Sequence, residues 1–134
     1  MNPMRGCELE IVTESENERS IFRTKGVFES EEDGERVRYR IDNDDAELFF
    51  SESFFENCRR GSCGLKARFE EGMESEIIIG SSSLKGKIPV KTTRYRLYRS
   101  DAERKIELCY ELFSSQQVQT FLLKIKIVFF SEEK

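Results

Sequence analysis

The chain has 134 residues, 36% of them charged, and a formal net charge of only −4. That length fits one domain, residues 1–134 with a core over about 7–130, and is enough to bury a core of its own. The balance of signs argues against a general nucleic-acid binder, which needs a basic excess for phosphate contacts, and gives no support to a membrane surface as partner.

Cys7, Leu9 and Ile11 alternate with Glu8 and Glu10, a period of two that marks a strand with one buried face. A second strand runs from about Arg19 to Glu29, with Gly26 marking a bulge or bend. The Asp33-Gly34 dipeptide is a hairpin signal. Val37, Tyr39 and Ile41 then share one face opposite Arg36, Arg38 and Arg40, and Asn43-Asp44-Asp45 turns the chain. From Ala46 to Cys58 the parity slips, because Phe49-Phe50 and Phe54-Phe55 place aromatic side chains on both faces.

Leu65, Ala67 and Phe69 restore the beat, Met73 to Ile79 continue it, and Gly80-Ser81-Ser82-Ser83 breaks it. In the strand opened by Gly86, Ile88, Val90 and Thr92 hold one parity while Tyr95 and Leu97 hold the other. A bulge near Thr93 keeps both sets on one face. After Ser100-Asp101-Ala102, the residues Ile106, Leu108, Tyr110 and Leu112 alternate with Lys105, Glu107 and Glu111. The last segment carries Phe121, Leu123, Ile125, Ile127 and Phe129 at every second position.

No segment holds a helical period. Consecutive strands joined by short polar turns make an antiparallel meander, and closure is the simplest way to leave no open edge. The expectation is an all-β domain: a single up-and-down barrel of about eight to ten strands. The N-terminal residues 1–7 carry no signal-peptide pattern, and Lys124 and Lys126 interrupt the longest apolar run. A soluble, cytoplasmic protein is expected.

Arg60-Gly61, a Gly at 86 followed by alternation to Thr92, Tyr110-x-Leu112 and the alternating last strand together resemble the YwiB-like proteins of the DUF1934 family. The resemblance covers about Cys7 to Phe130. It implies a calycin-like (lipocalin-like) barrel in a bacterial cytoplasmic protein, and it brings no established activity. Two departures stand out. The family's Tyr-x-Thr ahead of the glycine is replaced by Ile77 to Gly80 and a serine triplet, and Arg59 matches the family's arginine better by spacing than Arg60 does.

Histidine is absent, which removes Ser–His and Cys–His nucleophiles and histidine-ligated metals and places an enzyme third among the readings. Of the four cysteines only Cys58 and Cys63 are close in sequence, so no zinc site is expected; a Cys58–Cys63 disulfide fits a turn geometrically but is not expected in a reducing cytosol, and no cofactor is expected. Cys58 to Gly64 could meet an anion through its arginines and exposed backbone, against a plain glycine-containing hairpin. Arg36, Arg38, Arg40, Arg94, Arg96 and Arg99 read as outward residues paired with acidic neighbours rather than as a nucleic-acid face. The turn carboxylates, Asp42, Asp44 and Asp45 among them, read as solvated.

Two function classes stand ahead of an enzyme. One is a binding protein holding a small apolar or amphipathic ligand in its barrel. The other is a structural or regulatory interaction protein with a filled barrel and an outer surface, such as the doubled phenylalanines, for a partner or a second copy in a homodimer. If a ligand is held, its polar anchors are expected to be Tyr39, Arg60, Thr92 and Tyr110, with Arg60 meeting an acidic ligand group and Arg59 or Arg60 closing the mouth.

Overall fold

The computed structural model describes residues 4–81 and 85–130. They form ten strands: β1 Met4–Glu14, β2 Arg19–Glu31, β3 Gly34–Ile41, β4 Asp44–Phe50, β5 Phe55–Arg60, β6 Cys63–Phe69, β7 Glu74–Ser81, β8 Lys85–Arg99, β9 Glu103–Ser114 and β10 Gln117–Phe129. Each strand pairs antiparallel with its neighbours in sequence, and β1 pairs with β10 from Cys7↔Phe129 to Glu14↔Leu122, closing the barrel. The alternation of the sequence thus becomes a sheet with an inside and an outside and no free edge.

The inward parity builds the core. Leu9, Val37, Leu48, Ile106, Leu108 and Ile127 are almost wholly removed from water. Each contributes about 1.5–3 kcal/mol by area. The long strand β8 keeps its inward face through an irregularity between Thr92 and Arg94, as the parity change at Thr93 requires.

Three local expectations are corrected. Gly26 is no bulge: it pairs in register with Cys7 and with Tyr39. Its role is close approach, since a Cβ there would lie 2.8 Å from the Arg38 carbonyl oxygen. The β3–β4 turn is Asp42-Asn43, both with positive φ (50° and 72°), which is hairpin-turn geometry that Asn and Asp tolerate. Asp44 is therefore already strand, and it and Glu35 are buried rather than solvated.

The doubled phenylalanines resolve by parity. Phe50 and Phe55 are fully buried in the core. Phe49 and Phe54 are half-buried on the outside, with ring centroids 5.5 Å apart. The Arg36 and Arg68 guanidinium groups lie 4.3 and 4.2 Å over those two rings.

The two ends of the barrel differ. At the end that carries the turns at 32–33, 51–54, 70–73 and 100–102, the core is sealed. Phe28 packs on Phe129 at 4.7 Å, and the Tyr95 hydroxyl donates to the Ser51 carbonyl at 2.6 Å. Buried Glu35 accepts from Arg104 Nε and Nη2, both at 2.9 Å. At the opposite end, which carries the described turns at 15–18, 42–43, 61–62 and 115–116, inward-pointing apolar residues stay half-exposed: Phe22, Ile41, Leu65, Ile79, Leu112 and Phe121. This end is the mouth.

Candidate binding site in the barrel lumen

The strands leave a cavity of about 190 Å³ inside the barrel. Leu48, Phe55 and Phe69 line its side nearer the sealed end. Ile11 and Ile125 form one wall and Leu65, Ala67 and Ile77 the facing wall. Thr13, Leu123 and Tyr110 line it nearer the mouth, and Asn57 completes the lining from β5. All of these side chains belong to the inward parity of their strands, so the space is lumen rather than a surface groove. An engineered cavity of about 150 Å³ with an apolar lining is known to take benzene, which sets the size of guest this one fits.

Within this apolar lining Asn57 is conspicuous. It is held inward because β5 pairs Leu48↔Asn57 and Asn57↔Ala67, in phase with Phe55. Its Oδ1 is buried and has no hydrogen-bond partner among the described residues. An acceptor in that state has lost water without replacement, a cost of about 1–3 kcal/mol. Tyr110 stacks on Phe121 at 5.4 Å and approaches Phe69 at 5.0 Å, and burial raises its phenol above the ordinary tyrosine range.

The mouth is ordered by a buried carboxylate. Asp44 Oδ2 accepts from Arg59 Nε at 2.9 Å, and Asp44 Oδ1 accepts from the Ser62 backbone N–H at 2.9 Å. Gly61 permits this turn. Its φ of +145° is one that side chains rarely adopt, and a Cβ would fall 2.0 Å from Asp44 Oδ1. Arg59 shares the inward parity of Asn57 and stands one step nearer the mouth.

The four anchors read from the sequence do not meet in one cavity. Tyr110 lines the lumen. Tyr39 points inward and is buried against Phe22, at 6.0 Å, with its hydroxyl pushed up to about 12 by burial while the nearby Arg59 charge pulls it down. Thr92 is fully buried in register with Tyr110, and its Oγ1 has no partner among the described residues, yet it lies off the cavity wall. Arg60 is on the outer face, where it pairs with Glu47 at 3.2 Å, and Arg59 is the arginine that faces in. Sequence reading missed Asn57 and left Arg59 as second choice. The signal was the odd beat Phe55, Asn57, Arg59, obscured because two of its three members are polar.

Other sequence motifs sit elsewhere. Cys7 is buried inside the barrel, where burial raises its thiol pKa, and Cys58 and Cys109 are free and half-buried on the outside. Each arginine in the two clusters has a carboxylate partner: Arg36 with Glu31 and Glu47, Arg38 with Glu29, Arg40 with Asp45, Arg94 with Glu107, Arg96 with Glu71. Arg99 is the exception to outward pairing, because the bulge turns it toward buried Glu35 at 3.4 Å. Among the described residues no helix is long and apolar enough to cross a membrane.

No family model and no curated protein matches this sequence. Among solved structures it is similar to the YwiB protein of Bacillus subtilis, with a TM-score of 0.77 over 97% of this chain and 94% of that one. The two share a fold. At 15% sequence identity the likeness is one of backbone architecture, so the sealed end, the mouth and Asn57 are described from this chain alone.

Proposed function

We propose that this protein is a small-molecule binding barrel that admits an apolar or amphipathic guest through the open end. The observation that carries the reading is the lumen cavity of about 190 Å³ lined by inward-facing apolar side chains. A filled barrel would instead favour a role confined to the outer surface. The doubled phenylalanines supply less for self-association than their sequence suggested, because two are core and two are covered by Arg36 and Arg68. Kinship with YwiB-like proteins, and a bacterial cytoplasm as the compartment, belong to the same proposal. The shared fold supports the first, and the free thiols of Cys7, Cys58 and Cys109 among the described residues support the second.

Native mass spectrometry of the full chain, followed by calorimetric titration with benzyl alcohol, tests the reading. The expected result is a retained small molecule or saturable binding that is lost in Ala67→Leu, whose side chain extends into the cavity. An unliganded chain that also gives no heat with benzyl alcohol would overturn it.

A further inference from the structure

We propose that the lumen selects a neutral guest carrying a hydrogen-bond donor at its buried end, and that Asn57 Oδ1 receives that donor. This deepens, and rests on, the lumen-binding reading above. The polarity of the site follows from what lines it. Asn57, Thr13 and Tyr110 are its polar side chains, and none of the described lining residues carries a charge. A charged group brought there would be desolvated without a counter-ion, which is strongly unfavourable. The nearest basic side chain along β5, Arg59, is engaged by Asp44 at 2.9 Å, so the pair presents no net charge to an anion at the mouth.

The requirement for a donor follows from Asn57. Its Oδ1 is buried in the wall with no protein partner among the described residues, so whatever fills the lumen decides whether that acceptor is satisfied. A purely apolar guest leaves that buried acceptor unsatisfied, whereas a guest with an O–H or N–H supplies the missing donor. Across the barrel, on β9, Tyr110 sets a ring stacked on Phe121 and a hydroxyl that makes no hydrogen bond among the described residues. A planar ring therefore finds an aromatic wall while its donor reaches β5. A compact aromatic alcohol or phenol has this chemistry and this size.

The test compares phenol, toluene and benzoate on the full-length protein by calorimetry at neutral pH. Toluene partitions into an apolar space better than phenol, so a preference for phenol reports the polar contact and not hydrophobicity. Phenol is expected to bind at least about tenfold more tightly than toluene, equivalent to about 1.4 kcal/mol, with no heat from benzoate. In Asn57→Leu the order should reverse.

The Asn57 side-chain amide resonance should shift with phenol and not with toluene in the unmodified protein. That readout keeps the test decisive should the variant fail to fold. Equal affinities, an unmoved amide, or a phenol preference that survives in Asn57→Leu would each overturn the donor assignment while leaving lumen binding intact. Silence from all three probes would overturn the lumen reading itself, and this inference with it.

Discussion

Removing the charge of Glu35 probes the sealed end most directly. Its carboxylate is only 10% exposed and holds the fork of Arg104, itself 14% exposed, while Arg99 reaches it from the rim at 3.4 Å and is 38% exposed. The Arg104 guanidinium also rests over Phe28 and Phe129, at 5.4 and 5.1 Å, so the ion pair is part of the aromatic seal. Glu35→Gln keeps the shape and one acceptor but strands the Arg104 charge.

Breaking a buried pair from one side costs about 3–5 kcal/mol. Here Arg99 can return to water, and Arg104 keeps its bonds to the Ser100 and Glu103 carbonyl oxygens at 2.6 and 3.1 Å. The expected loss is therefore smaller, about 2–3 kcal/mol. Urea unfolding should show a lowered midpoint with an unchanged m-value. Glu35→Met combined with Arg104→Met should recover most of the loss, because an apolar pair of similar volume suits the same site. A loss below about 0.5 kcal/mol, the range of ordinary surface changes, would refute the claim that this pair seals the barrel.

Leu108→Ala should cost about 2–5 kcal/mol in the same assay, because Leu108 is fully buried between the β8 and β10 walls. Gly61→Ala should destabilise by about 1–3 kcal/mol through its φ of +145° and the collision with Asp44, whereas Gly80→Ala, which meets nothing within 4 Å, should be far milder. Tyr39, Tyr95 and Tyr110 all have phenols raised by burial, so phenolate absorbance should show them ionising late in an alkaline titration, Tyr39 at about 12. The folded state holds those protons more tightly than the unfolded one. Their contribution to stability is thus complete below about pH 10 and is lost as pH rises through the folded values, which alkaline denaturation curves will show.

The strand beat made the barrel legible in the sequence. Residues such as Ile106 and Leu108, or Ile125 and Ile127, alternate with charges that cannot be buried unpaired, and that alone assigns an inside and an outside. The Thr93 bulge followed from the same logic, since two apolar parities within one strand need one extra residue between them.

The site was not legible in the same way. Parity says nothing about polar residues such as Asn57, Arg59, Asp44 and Glu35 until a neighbour in register fixes their phase, so Asp44 reads as solvated, Arg59 ranks behind Arg60, and Asn57 and Glu35 give no signal. Nor can a one-dimensional pattern state whether inward side chains fill the space they enclose. That depends on how ten strands of unequal length close around a common axis, leaving aromatic rings and an ion pair across one end and a mouth at the other. Local alternation is a property of each strand, written residue by residue; the unfilled volume and the buried acceptor facing it are properties of the closed sheet, where side chains remote in sequence compete for the same interior.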